Sequence, residues 1–430
     1  MNMTGRQALG ILAAATLLSG CMKDEGVTRF LSAPFGPAAE APREVAPASL
    51  IIAALQARQS ALVEGSAYAQ VAASVMAADS RVAEAELRVA RLRAEAAQKN
   101  WLPTLSPRVS LTSLGDFAAD LLINQVLFDN GRKQAERDLA KADVELAAVA
   151  LTEDGNTRIF EALTLYLQAE EGREAQKHYS VALQDMTRFE WVMNERVRGG
   201  VSDPSDLNVL RQKLASIRAK ADAAGEKTVT ALAELGAMSA GPLSDLRGLG
   251  GLGPAPGGTP LAVLRAMAER DRALAEARIA RAGHLPGLGA TVTVDGDGAS
   301  GGANVLTDQG IGFGTPAALD AIEAGKVAAE RRVDEAREEA QRKLQSEQRQ
   351  LEALRRQAAE ARGLSIQARQ NLDLFQRQYE GGQRQVMDVV GVYETYSAAL
   401  ERELELKYKA ARAELTIARL QGALAEGQQI

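Results

Sequence analysis

From Arg132 to Arg198 the chain reads RKQAERDLAKADVELAAVALTEDGNTRIFEALTLYLQAEEGREAQKHYSVALQDMTRFEWVMNERVR, and then turns through Gly199-Gly200. The stretch has no proline, and only Gly155 and Gly172 interrupt its helix-forming Ala, Leu, Glu, Arg and Gln. At about 1.5 Å rise per residue it predicts a rod on the order of 100 Å. A second stretch, from Pro316 in a first-turn position to Tyr379, is again proline-free inside. Rods of this length are coiled-coil-like and need packed neighbours to bury their apolar stripes. Neither is apolar enough all round to be a membrane span. In the last helical stretch Val389, Tyr393, Tyr396, Leu400, Leu404, Tyr408, Ala411 and Leu415 fall on one face. The dense charge from Glu330 to Arg362 mixes Glu with Arg, which marks a solvated face rather than a nucleic-acid patch.

The rods belong to a duplication. Leu102-Pro103 has its counterpart in Leu285-Pro286, and Arg198-Gly199-Gly200 with Asp206 is matched by Glu380-Gly381-Gly382 with Asp388. Each half reads helix, Leu-Pro break, two short β-like stretches, very long helix, Gly-Gly turn, helix. The first repeat is expected over 48–240 and the second over 261–430, joined by a Gly/Pro-rich connector at 241–260. Gly248-Leu249-Gly250-Gly251-Leu252-Gly253 in that connector formally matches a dinucleotide fingerprint. No strand precedes it, prolines follow it and no βαβ unit surrounds it, so it reads as linker.

The β-like stretches run about Thr104 to Leu114 and Phe117 to Asp129 in the first half. In the second they run about Gly287 to Val294 and Asn304 to Phe313, the latter pair joined by a loop opening at Asp295-Gly296-Asp297-Gly298. Alternation is clear in Val109-Ser110-Leu111-Thr112 and in Ala290 to Val294. A tilted strand needs about 9–11 residues to cross a bilayer. Four such strands cannot close a barrel, and unpaired edges are costly in lipid, so several chains would have to share one. The alternative is a pair of soluble hairpins capping a helical bundle. Rings near the strands are few, namely Trp101, Phe117, Phe128 and Phe313, and the second hairpin is glycine-rich and interrupted by Asp308 and Gln309.

At the amino end Arg6 is followed by an apolar run and by Leu18-Ser19-Gly20-Cys21, a secretory signal over 1–20 ending in a lipobox-like site. Cys21 is the expected lipid attachment, with several acyl chains (thioether-linked and palmitate-type) holding the chain to a membrane. Residues 21–47, rich in Pro and Ala, read as the tether. The 430 residues carry 50 Lys+Arg against 56 Asp+Glu, a net charge of −6 that offers no basic surplus for nucleic acid. One Cys and two His supply neither a disulfide framework nor a Cys/His zinc cluster, and no cofactor site is expected. His178 and His284 read as surface or interface residues, and Phe189 and Trp191 as packing between helices.

This layout resembles the TolC-like outer-membrane efflux proteins, the outer membrane factor family, over nearly the whole mature chain. Leu127-Phe128-Asp129-Asn130-Gly131-Arg132 is similar to the family's passage into its long helix, and Tyr379-Glu380-Gly381-Gly382-Gln383 with Asp388-Val389 to its turn. Arg196-Val197-Arg198-Gly199-Gly200-Val201 with Asp206-Leu207 is the first-half equivalent. The resemblance implies a mainly α fold with a small antiparallel β part, a long α-helical barrel subunit plus four membrane strands. It implies a homotrimer anchored in the outer membrane, extending into the periplasm and meeting a periplasmic adaptor (a membrane fusion protein) and an inner-membrane transporter. The adaptor would be met at Gly199, Gly200, Val201, Asp206, Gly381, Gly382 and Gln383.

The local chemistry agrees with turns at these places, since glycine permits the left-handed backbone of a tight helix-to-helix reversal. Asp203 is placed to be an N-cap, with Pro204 at the first helical position and Asp206 at the third. Asp206 thus reads first as a helix-start residue. Asp388 has no Ser, Thr or Asp cap before it and is the candidate pore constriction. The functional expectation is a passive outer-membrane channel serving a tripartite efflux pump or type I secretion system, and not an enzyme. The rival is a non-conducting periplasmic coiled-coil scaffold or adaptor; catalysis would need a Ser-His-Asp, metal-ligand or phosphate-loop constellation, and none appears.

Overall fold

The computed structural model describes residues 49–427, apart from 79–81, 114–115, 255–256, 296–297 and 307–311. The signal segment, Cys21 and the 21–47 tether lie outside the described residues. The element order is α1 (Leu50–Gln56), α2 (Ala67–Met76), α3 (Val82–Gln98), β1 (Thr104–Ser113), β2 (Asp116–Phe128), α4 (Arg132–Arg198) and α5 (Pro204–Met238). There follow α6 (Leu261–Gly283), β3 (Gly287–Asp295), β4 (Gly298–Leu306), α7 (Thr315–Glu380) and α8 (Val386–Gln421).

The rod α4 has the bounds read from the sequence, and α7 exceeds its expected span by one residue at each end. Asp129 explains why α4 starts where it does: its carboxylate accepts from the N–H groups of Gly131 (3.1 Å) and Lys133 (2.6 Å). Asn130 and Gly131, at φ 54° and 82°, make the left-handed step between strand and helix.

The four strands form one antiparallel sheet in the order β1-β2-β3-β4. The register sorts residues into two faces. On one, Leu105 pairs with Ile123, Val109 with Ala119, Leu121 with Val294, Ile123 with Val292 and Leu288 with Val305. On the other, Thr104 pairs with Asn124, Arg108 with Asp120, Asn124 with Thr291 and Thr293 with Ser300, with Leu122, Val126 and Leu306 as apolar exceptions. The Thr291 hydroxyl donates to Asn124 Oδ1 at 3.0 Å on this polar face. The fourth strand departs from expectation: it runs Gly298–Leu306, not Asn304 to Phe313. Asp295 already pairs with Gly298, whose N–H donates to the Asp295 carboxylate at 3.0 Å and whose φ of 147° only glycine tolerates well. The connection between β3 and β4 is therefore shorter than the loop expected from the sequence.

The helices make a row whose neighbours change along its length. Beside the sheet α3 and α6 flank α4, and α6 also meets α7; toward the Gly turns α5 and α8 flank α4, and α8 meets α7. The helix α4 thus has partners on both sides and buries 21 residues. By contrast α7 buries six, along a single seam from Ala329 and Val333 through Leu351, Ala361 and Ser365 to Leu372. Its other faces are exposed, including the charged run from Glu330 to Arg362.

At mid-length a belt crosses the row. Tyr68 and Val71 of α2 pack with Leu163, Tyr166, Leu167, Leu235 and Leu415. The connector is pinned to α4: Tyr166 hydroxyl donates to Gly248 O (2.8 Å), Gly248 N–H to Glu170 (2.7 Å), and Arg173 to the carbonyls of Leu246 (3.0 Å) and Ser244 (2.8 Å). Gly248 to Gly253 therefore serves as strapping, and Gly250 lies so close to the Tyr68 ring that an added Cβ would be 2.5 Å from it.

Candidate functional site

Both rods end in the same hydrogen-bonded device. After α4, Val201 N–H donates to Arg196 O (2.8 Å) and Gly200 N–H to Val197 O (3.0 Å); after α7, Gln383 N–H donates to Gln378 O (2.8 Å) and Gly382 N–H to Tyr379 O (2.9 Å). These nested bonds satisfy carbonyls that the helix itself leaves open, and they require a left-handed residue at the penultimate place. Gly200 (φ 69°) and Gly382 (φ 72°) supply it. The first glycine of each pair does not: Gly199 and Gly381 have φ of −81° and −79°. Only one glycine per turn is demanded by the backbone.

The outgoing helices start alike and are capped differently. Asp203 caps α5, its carboxylate accepting from Ser205 N–H (2.8 Å) and the Ser205 hydroxyl (2.7 Å); these bonds hold Asp203 below its ordinary value. Asp206 occupies the third position of α5 and is partly exposed. At α8, where no Ser, Thr or Asp precedes Asp388, the cap is Gln385, whose side chain accepts from the third-position N–H while Asp388 Oδ2 accepts from Gln385 N–H at 3.1 Å. Asp388 is thus an exposed helix-start carboxylate equivalent to Asp206, and it points back along its own helix.

Behind the turns the two hairpins share one core. Met186 and Phe189 of α4, Leu207 and Leu210 of α5, Leu372 of α7 and Val386, Val389 and Tyr393 of α8 are buried together. Burying a side chain of this size contributes about 1.5–3 kcal/mol. Phe189 meets Tyr379 edge to face at 6.3 Å, joining α4 to α7. Trp191 differs from its reading as packing: it is 64% exposed, as is Val201 at 70%. The rods pack through every third or fourth residue, and Trp191 lies two places after Phe189, on the side turned away from that core.

At the opposite end the apolar sheet face is uncovered, with Leu105, Val109, Leu121, Val292, Val294 and Val305 all exposed. Trp101, Phe128 and Phe313 are exposed where strands give way to helices. The side chain of Phe117, and Asp308 with Gln309, lie outside the described residues. Among the described residues no helix is long and apolar enough to cross a membrane, and no group of three or more His, Cys, Asp or Glu is placed to hold a metal ion. His178 is an interface residue: it is buried between α4 and α8, 3.0 Å from Ser397 Oγ.

No protein-family model and no curated protein matches the sequence. Solved structures do. A membrane protein from Pseudomonas aeruginosa matches with TM-score 0.72 at 15% identity, covering 85% of this chain and 92% of that one. The CmeC outer membrane channel of Campylobacter jejuni matches at 0.69 and 13% identity over 85% and 87%. The outer membrane protein VceC of Vibrio cholerae matches at 0.68 and 15% over 83% and 96%. The long helices and the four-stranded antiparallel sheet of this chain match the TolC-like fold of these outer-membrane channels.

Proposed function

We propose that the chain is one of three identical subunits of an outer-membrane channel that conducts solutes passively out of the cell. Its partners would be a periplasmic adaptor and an inner-membrane transporter. The observation that carries this reading is the two-faced sheet. An apolar face running across four strands of 10, 13, 9 and 9 residues suits lipid, and a polar face with Arg108, Asp120 and Asn124 suits a water-filled interior. A sheet with edge strands at β1 and β4 is not a finished membrane wall, because unpaired backbone groups in hydrocarbon cost several kcal/mol each. Identical copies joining β4 to β1 resolve that cost. The narrow burial of α7 supports the same assembly, since its uncovered side is free to meet α3 and α5 of a neighbouring copy.

In this reading Cys21 carries the lipid anchor, and Gly199, Gly200, Val201, Asp206, Gly381, Gly382 and Gln383 form the periplasmic tip that meets the adaptor. Asp388 and Asp206, at equivalent helix starts, would bring carboxylates to the narrow end, with Asp388 the candidate constriction. Exposed Trp191 and Val201 give that tip apolar contact area. No bond is made or broken by this chain. The test is incorporation of the purified full-length protein into planar lipid bilayers, with its mass measured in detergent. Stepwise single-channel conductance from a trimer is expected; a trimer that inserts without conducting, or a monomer that stays in solution, would leave the scaffold reading in its place. Mass spectrometry of the amino-terminal peptide checks acylation at Cys21.

A further inference from the structure

Toward the Gly turns α5 and α8 lie on either side of α4, and a groove of about 430 Å³ opens between them. Two ion pairs span it. Lys213 reaches Glu394, and Lys220 Nζ binds both oxygens of Glu401 at 2.8 and 3.0 Å. The lysines are seven residues apart on α5 and the glutamates seven apart on α8, so each pair repeats after two helical turns on the same side. Beneath the second pair is a buried titratable group of the α4–α8 interface. His178 of α4 is 8% exposed, its Nε2 is 3.0 Å from Ser397 Oγ on the groove wall, and its ring lies edge-on to Tyr396 at 6.2 Å.

The groups facing it from each element are few. On α4 itself Tyr179 stacks at a tilt 5.3 Å away and bonds Glu401; on α5 Lys220 lies 5.9 Å over the Tyr179 ring. On α8 there are Tyr396, Ser397 and Glu401, and on α7 Arg369 lies over the Tyr396 ring at 5.4 Å.

We propose that this arrangement is an acid-released clasp, in which protonation of His178 draws Glu401 from Lys220 and loosens α5 from α8. The imidazolium would place a third charge under a two-charge bridge, attracting the glutamate and repelling the lysine. Burial keeps the neutral ring favoured, holding His178 below its ordinary value of 6.5, with Lys220 acting in the same direction and Glu401 against it. A group depressed in this way makes the closed arrangement fully stable above about pH 6.5 and progressively less so as pH falls below that, until the buried ring itself takes the proton. The clasp is a property of the chain's own helices and stands whether or not the protein conducts.

The test is amide hydrogen exchange of the purified full-length protein, titrated from about pH 7.5 to about pH 5 and corrected for intrinsic exchange. Peptides of α5 around Lys220 and of α8 around Glu401 are expected to lose protection severalfold as pH falls below about 6.5. Peptides of α3 and α6 should hold steady. His178→Gln is expected to keep the neutral-pH protection throughout. Lys220→Met, which removes the bridge and spares the histidine, is expected to give the loosened pattern at every pH. Unchanged protection in the wild-type chain would overturn the proposal, as would the same pH response in His178→Gln. A wild-type midpoint near 4, where carboxylates titrate, would overturn it too, and that readout stands even if His178→Gln folds poorly.

Discussion

Replacing Gly382 by Ala and, separately, Gly381 by Ala should have opposite effects, although the two glycines are adjacent in one turn. At Gly382, φ 72°, a methyl group meets no neighbour within 4 Å, so the whole effect is backbone: an L-residue there costs about 1–2 kcal/mol. At Gly381 the backbone is ordinary, and an added Cβ would sit 3.5 Å from Arg377 O and 3.7 Å from Gln378 O, normal contact. Alanine at such a site removes freedom from the unfolded chain and stabilises by about 0.4–1 kcal/mol. The gap of about 1.5 kcal/mol or more corresponds to at least a tenfold difference in local opening of the turn. Trypsin reads it, because Arg377 and Arg384 flank the turn and cleavage follows the population of the opened state. Gly382→Ala should be nicked there at least tenfold faster than Gly381→Ala, with the parent between them. The duplication provides an internal repeat, with Gly200→Ala against Gly199→Ala and cleavage at Arg196 and Arg198. Equal nicking of the two members of either pair would refute the reasoning.

Other outcomes follow from the same geometry. Val292→Lys, on the apolar sheet face, should cost about 2–4 kcal/mol if that face meets lipid and reduce membrane-inserted protein on fractionation, whereas Thr291→Lys on the opposite face should insert normally. Gly172→Ala would set a Cβ 2.3 Å from Thr228 Oγ1 and 2.8 Å from Ala224 O, forcing α4 from α5; a loss of about 1–3 kcal/mol is expected in thermal unfolding. Adding Thr228→Ala should restore only part of it, because the Ala224 carbonyl remains. Asp203, held below its ordinary 3.8, should support the start of α5 above that pH and cease to as acid protonates it, so exchange at Ser205 should quicken as pH falls through this range in the parent and be fast throughout in Asp203→Ala.

The rods, their ends and the duplication were legible because proline-free helical spacing, Gly-Gly and Leu-Pro are local signals, and α4 has the very bounds that they gave. Thr104 to Phe128 was legible by alternation, with bulky residues at every second place. The stretch Gly298–Leu306 was not: with three glycines, two alanines and one serine among nine residues it has little side-chain pattern, and only pairing with β3 reveals it as a strand. At the turns the sequence marks two glycines, but the handedness of each is set by which carbonyl it must serve. The capping role of Asp388 was hidden because glutamine is an uncommon cap. Trp191 and Phe189, two residues apart on a helix, divide between surface and core, and which of them faces inward depends on where α5, α7 and α8 lie.

The middle of the sheet sets a timetable for biosynthesis. The two hairpins are joined by the pairing of β2 with β3, from Phe128 with Leu288 to Leu121 with Val294. When β2 has emerged from the ribosome its partner is still about 160 residues from being translated, so the first hairpin is made with an unpaired backbone edge. Such an edge invites wrong partners, and the interval between synthesis of β2 and of β3 is when this chain is most exposed to mispairing.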